Sequence, residues 1–245
     1  MSASSHPPSA PTPSEGLADG RADASPDEGA GVYEPGYFET RLAKDANREK
    51  TWRHLCAYLG RWVGPGDSVL ELGAGWCDFA NTIHAAHVVA MDVDATVRRA
   101  AADHVTAVVG DCTDLSRFEP GSFDVVFASN LLEHLERPAS RQLLDGARSV
   151  LRPGGRLILM QPNFRLNPGR YFDDYTHIAI FTDQSLSDFL TSSGWTVQVV
   201  KARFLPLTLK SRASGLTFLV PWYLRSPLKP LAGQMLVVAT PTKED

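Results

Sequence analysis

The sequence predicts an α/β protein in which a doubly wound parallel sheet carries helices on both faces. Three observations predict it. From residue 68 onward, short apolar runs alternate with segments of helical periodicity, the pattern that builds parallel sheets covered on both sides. Gly73 and Gly75 follow the first apolar run at alternate positions. Asp92 closes the second run, and in such sheets ligands bind beyond the carboxyl ends of the strands, beside the first one.

The elements follow in order. Phe38 to Val63 carries helical spacing through Trp52, Leu55, Cys56, Leu59, Trp62 and Val63, and the Gly64-Pro65-Gly66-Asp67 stretch breaks it. Ser68–Leu72 reads as a buried strand and Asp78–Ala85 as a helix. His87–Met91 and Ala95–Ala102 form a second such pair, with Asp94 a candidate N-cap. Val105–Val109 is a third strand. Phe123–Ala128 is a fourth, followed by a helix around Arg141–Leu151. Pro153-Gly154-Gly155 turns into a fifth strand, Arg156–Gln161. Asp183–Ser193 has N-cap chemistry and an apolar face at Leu186, Phe189 and Leu190, and Gly194 ends it. Thr196–Phe204 and Gln234–Thr240 complete seven strands.

Residues 1–32 are rich in Ser, Pro, Ala, Gly, Asp and Glu and lack core-forming side chains, so a disordered acidic tail is expected there. The rest, 33–245, divides into a helical cap (33–67), a cofactor-binding core (68–204), an amphipathic insertion (205–233) and a last strand with its tail (234–245). A formal charge of −4 argues against a dedicated nucleic-acid binder, which carries a basic excess. The cysteines, Cys56, Cys77 and Cys112, have neither disulfide nor metal-type spacing. The N-terminus lacks the order of a signal peptide, and no run of about 18 apolar residues occurs. A cytoplasmic protein is expected.

Glycines after the first strand let a ligand approach the backbone. A dinucleotide site favours G-x-G-x-x-G, and Gly73-Ala74-Gly75-Trp76-Cys77-Asp78 lacks the third glycine. Asp92 can accept hydrogen bonds from ribose hydroxyls, which suits an NAD or an adenosyl cofactor equally. Beyond the third strand, Asp111 can accept from an adenine amino group, and the Cys112 amide can meet a ring nitrogen.

With VVGDCTDL (108–115), FDVVFASNLLEHL (123–135) and LRPGGRLILMQP (151–162) added to ELGAG and Asp92, five motifs occur in order. From about Val69 to Gly194 the sequence resembles the class I S-adenosylmethionine-dependent methyltransferases. That resemblance implies a mostly parallel seven-stranded, Rossmann-like sheet whose last strand runs antiparallel between the fifth and sixth. It implies S-adenosyl-L-methionine as cofactor. The cofactor-binding residues would be Glu71, Gly73, Ala74 and Gly75 in the glycine loop, Asp92 and Val93 at the ribose, Asp111 and Cys112 at the adenine, and Asn130 at the methionine end. The family's last loop glycine is Cys77 here, a change expected to be mild because a helix starts there. Rival readings are an NAD-dependent oxidoreductase and a non-catalytic adenosyl-binding module.

Methyl transfer from a sulfonium needs an aligned acceptor, and for a hydroxyl also a base, for which histidine is suited. His134, in Glu133-His134-Leu135, and His177, in FDDYTHIAIFTD (172–183), are the catalytic candidates. One Glu-His pair is too few ligands for a metal, so none is expected. Asp174 and Tyr175, beside His177, are candidate substrate contacts, suited to a hydroxylated molecule such as a sugar. The stretch PNFR…YFDDYTHIAIFT…RFLPLTLKSR resembles bacterial methyltransferases of surface-polysaccharide and natural-product pathways. From Phe189 to Lys243 there are bases but no acid. The insertion at 205–233 could therefore cover an anionic glycan precursor or touch an anionic membrane surface.

Overall fold

The computed structural model describes residues 46–206 and 217–243. The acidic tail, the first part of the helical cap, and Lys210 and Arg212 of the insertion lie outside them. Seven strands form one sheet: β1 (Ser68–Leu72), β2 (His87–Asp92), β3 (Val105–Val109), β4 (Phe123–Ser129), β5 (Leu151–Pro162), β6 (Trp195–Pro206) and β7 (Ala232–Pro241). Their order is β3-β2-β1-β4-β5-β7-β6. The pairs from β3 through β5 are parallel, while β7 runs antiparallel to both β5 and β6. The expected insertion of the last strand between the fifth and sixth is what the sheet contains.

The central strands read as near-continuous apolar runs because they are buried on both faces, whereas the edge strands β3 and β6 are partly exposed. Val69, Val125 and Ile158 point to one side, and Leu70, Val126 and Leu157 to the other, so neighbours along each strand enter different cores. The first core is closed by α1 (Ala46–Leu59), the segment after Gly75, α2 (Thr96–Ala100) and α5 (Val220–Arg225). The second is closed by α3 (Arg137–Val150) and α4 (Asp183–Ser192). Thr182 caps α4 by accepting from the Ser185 amide, and the Ser185 hydroxyl accepts from the Thr182 amide in return. This satisfies two of the helix's orphan donors.

Several elements depart from the expectation. No helix forms over Asp78–Ala85; residues 75–82 make successive turns. The Ala80 amide donates to Glu71 Oε2 (3.0 Å), and is thereby drawn away from a helical carbonyl. Cys77 has φ 56°, so it is the last left-handed residue of the glycine loop and not the first of a helix. Replacing the family's glycine there is not mild, since that conformation costs an L-residue roughly 1–2 kcal/mol. The thiol is fully buried and points to the Val97 carbonyl at 3.7 Å, tying the turn to α2. Elsewhere α3 begins at Arg137, earlier than read. β5 begins at Leu151 and carries the Pro-Gly-Gly stretch as a bulge, in which Leu151 to Arg156 pairs with Phe123 to Val125. The longer β6 and β7 narrow the insertion to 207–231, within which Val220–Arg225 is helical.

Candidate active site

The glycine loop turns off β1 in a way that its sequence requires. Gly73 has φ 67° and Gly75 φ 51°. A Cβ on Gly73 would also lie 2.9 Å from Leu131 Cδ1. Only glycine escapes both problems, and the close approach sets the loop after β4 directly against the glycine turn.

Asp92 ends β2 and is 5% exposed. Its Oδ2 accepts from the Gly75 amide (2.8 Å) and its Oδ1 from the Asp94 amide (2.9 Å). Burial raises its pKa, and these amide bonds act in the opposite direction. A carboxylate has about four acceptor sites, so Asp92 keeps room for a further donor beside its backbone amides. That capacity, beside backbone left bare by glycine, fits the vicinal ribose hydroxyls of an adenosyl group. Ala74 is buried, and its amide donates to the Met91 carbonyl (3.1 Å); Val93 lies half-buried between Asp92 and Asp94. Asp94 accepts from the Thr96 amide (2.7 Å) just ahead of α2, as its candidacy for a cap foresaw in part; Ala95 occupies the cap position itself.

Asp111, just past β3, is exposed, and its Oδ1 accepts from the Thr113 amide (2.8 Å). Cys112 beside it is half-buried, and burial together with Asp111 and Asp92 pushes its thiol up to about 12. Cys112 is therefore a neutral thiol, and its backbone amide is the group relevant to a ligand. Asn130, past β4, adopts φ 50°, which asparagine tolerates better than most residues. Its Oδ1 accepts from Gln234 Nε2 (3.0 Å) on β7. Gln234 gives no local signal in the sequence, because it reaches Asn130 only through the insertion of β7 beside β5.

Glu71 is buried at the end of β1. Burial raises its pKa well above the usual carboxylate range; the Ala80 amide opposes the shift, Asp78 and Asp92 add to it, and Arg48 lowers it. Arg48 also pairs directly with Asp78. The folded-state value exceeds the unfolded one, so the stability Glu71 contributes is complete below the unfolded carboxylate value and is lost as pH rises towards the folded value. Glu71→Gln keeps a carbonyl acceptor for the Ala80 amide and removes this titration. Its unfolding free energy should fall less than that of the native chain between about pH 5 and about pH 8. Urea denaturation at the two pH values measures this; parallel losses in both proteins would mean that Glu71 ionises normally in the fold.

The loop after β4 and the loop after β5 meet at the catalytic candidates. The Glu133 carbonyl accepts from the amides of Ile178 (2.9 Å) and Ala179 (3.0 Å). This clamp brings the His134 and His177 rings to 5.0 Å between centroids, edge to face. Tyr171, fully buried, donates its hydroxyl to the Ala179 carbonyl (2.6 Å), and its own carbonyl lies 2.6 Å from His177 Nδ1. Thr176 Oγ1 lies 2.9 Å from His134 Nδ1 and donates to Asp174 Oδ1 (2.7 Å). Burial lowers the pKa of His134, and His177 lowers it further. Asp174 is thus turned onto Thr176, while Tyr175 is exposed. Sequence reasoning missed Tyr171 and the link of Thr176, read there as part of the polar cluster around His177, to His134, because these depend on contacts across loops.

Residues 70–159 match the family model for a methyltransferase domain. A demethylmenaquinone methyltransferase of Mycobacterium sp. (strain JLS) is 31% identical over 150 residues, which are 57% of this chain and 61% of that protein. A highly reducing polyketide synthase of Gibberella zeae is 36% identical over 91 residues, 36% of this chain and 4% of the synthase. The chain thus spans less than two thirds of either relative. Among solved structures, a SAM-dependent methyltransferase from Archaeoglobus fulgidus superposes with a TM-score of 0.59 at 18% identity, over 83% of this chain and 97% of that one. Such a distant likeness shows the shared fold. Residues 70–159 thus form a methyltransferase domain, on a sheet ordered as in the class I S-adenosylmethionine-dependent methyltransferase fold.

Proposed function

We propose that the protein transfers the methyl group of S-adenosylmethionine to a hydroxyl of a sugar, glycan precursor or other small molecule by in-line displacement. When bound, the cofactor supplies a methyl group already activated on a sulfonium. The chain's own residues then have three tasks. Asp92 holds the ribose and Asp111 with the Cys112 amide holds the adenine. Glu71, Gly73, Ala74, Gly75, Val93 and Asn130 line the remainder of the crevice. The loops at 130–135 and 171–181 align the acceptor and take up its proton, with His177 and His134 the groups for that step and Asp174 and Tyr175 the acceptor contacts. Alignment alone is worth roughly 7–11 kcal/mol in well-oriented systems.

The observation that supports this reading best is the contact between the two halves of the site. Leu131 packs against the glycine turn that would carry the cofactor, and three residues later His134 meets His177. The test is incubation with methyl-labelled S-adenosylmethionine and a panel of hydroxylated acceptors. Label should appear as an O-methyl group. His177→Ala should reduce turnover by about 10²–10⁴-fold while leaving cofactor affinity unchanged. Label transfer at the native rate would remove His177 from the reaction.

A second acceptor class is favoured by the surface around α5. Phe218, Leu219, Trp222, Leu228 and Leu231 are all exposed there, near Arg225 and Lys229. Contiguous exposed apolar side chains mark interaction surfaces, and the mixture suits an acceptor carried on an anionic lipid. The relatedness to demethylmenaquinone methyltransferases adds an apolar quinone to the panel. A C-methylated quinone as sole product would replace the hydroxyl reading. Among the described residues no helix is long and apolar enough to cross a membrane; a cytoplasmic enzyme touching the membrane surface through 217–231, with no nucleic-acid partner, completes the proposal.

A further inference from the structure

We infer that Glu133, His134 and His177 form a binding site for one divalent metal ion of the zinc and cobalt class. Adjacent in sequence, Glu133 and His134 supply only two ligands; the clamp between the loops adds the third. One ligand atom from each of the three residues lies within 4.8 Å of the other two. Two histidines and one carboxylate form a recurrent set for zinc and for other borderline divalent ions, with positions left open for a substrate.

Independent features of the cluster point to a ligand. Glu133 is 0% exposed, and neither carboxylate oxygen has a hydrogen-bond partner. A buried carboxylate in that state is unfavourable unless protonated or compensated by a cation. The orientation of the two imidazoles favours the cation. His177 Nδ1 faces the Tyr171 carbonyl at 2.6 Å; a carbonyl only accepts, so Nδ1 carries the proton and Nε2 the lone pair. His134 Nδ1 faces the Thr176 carbonyl at 3.2 Å and the Thr176 hydroxyl, whose own proton goes to Asp174. His134 Nδ1 is therefore also the donor. Its Nε2 lone pair stands 4.0 Å from Glu133 Oε1. Two electron-rich atoms facing each other in a buried position are reconciled by an ion between them. Metal-binding histidines characteristically donate their other N–H to a carbonyl or a similar acceptor, and both histidines do so here. Ligand bonds of about 2.0–2.2 Å require the three atoms to draw together by roughly 1 Å, within reach of small side-chain rotations.

The ion site stands on these contacts alone; its catalytic consequence rests on the methyl-transfer reading. With the ion bound, the two histidines would hold it in place of acting as the base, and an acceptor hydroxyl at an open position would lose its proton to solvent more readily beside the ion. The oxygen then forms its bond to the methyl carbon as the carbon–sulfur bond breaks, with that electron pair staying on sulfur.

The test uses full-length protein without a polyhistidine tag, freed of metal by chelation and dialysis. It is titrated with Co²⁺, followed by visible absorption, and with Zn²⁺, followed by calorimetry. One ion per chain is expected. Glu133→Gln and His177→Asn should each weaken binding by about 100-fold or more, with the far-ultraviolet circular dichroism unchanged. His87→Asn, on the other side of the sheet order at the start of β2, should have no effect. Absence of a cobalt spectrum, or native affinity in both site variants, overturns the proposal. If the single variants lose their fold, Thr176→Val, which removes the hydroxyl behind His134, serves in their place and should weaken the ion about tenfold; native affinity there also counts against the site. Ion binding without any binding of S-adenosylmethionine would sink the methyl-transfer reading and leave the ion site standing. Undiminished methyl transfer in excess chelator, with no cobalt spectrum, would do the reverse.

Discussion

Asp92→Asn is expected to weaken S-adenosylmethionine binding at least about tenfold, nearly as much as Asp92→Ala, because a tenfold change corresponds to about 1.4 kcal/mol and more than one hydrogen bond is at stake. Both carboxylate oxygens already accept backbone amides, Oδ2 from Gly75 and Oδ1 from Asp94. An asparagine has only one oxygen. Its NH₂ must face one of those two donors, so an isosteric change creates a donor–donor clash at a nearly buried position. Leaving a buried donor unpaired costs about 1–3 kcal/mol. The glycine loop is then no longer held to the end of β2, and an acceptor for the ribose is lost as well. Calorimetric titration of the two variants checks this. Native affinity in Asp92→Asn would show that the second oxygen holds neither the loop nor the ligand.

Phe127→Ala should lower the unfolding free energy by about 3–5 kcal/mol. Phe127 lies on β4, fully buried, with its ring stacked on Phe79 at 3.8 Å between centroids and 18° between planes. Trp52 of α1 packs edge-on against both rings at 6.3 Å. The three rings therefore join the sheet, the cap helix and the turns that follow the glycine loop. Such aromatic pairs add roughly 0.5–1.5 kcal/mol each to the area they bury, and no neighbour can fill a cavity bordered by a sheet. Urea denaturation with an unchanged slope measures the loss. A loss under about 1 kcal/mol would mean that residues 75–82 do not pack on β4 as described.

What could be read from the sequence follows from how each feature is encoded. Strands β1 and β3 are legible to the residue because turn formers bound these short runs, Gly64-Pro65-Gly66-Asp67 before β1 and Gly110-Asp111 after β3. The place of β7 came from resemblance, since chain order alone does not say where a last strand inserts. The turns at 75–82 were misread because Phe79, Ala80 and Ile83 have helical spacing; the competing hydrogen bond from Ala80 to Glu71 is invisible to periodicity. The glycine loop and Asp92 were legible as a local pattern at strand ends. The relay from Asp174 through Thr176 to His134, and the meeting of Glu133 with His177, were not, because they depend on two loops some 40 residues apart in sequence, as the His134–Thr176 separation of 42 shows. Glu133 and His134 are adjacent in the sequence; their meeting with His177 is a property of the fold.

The methyl-transfer reading requires that the crevice at the ends of β1, β2 and β3 be shaped for an adenosyl sulfonium. Parallel calorimetric titrations of the full chain with S-adenosylmethionine and with NAD⁺ test it most directly. Saturable binding of one S-adenosylmethionine per chain and no heat from NAD⁺ are expected. Saturable NAD⁺ binding, with S-adenosylmethionine giving none, would contradict it.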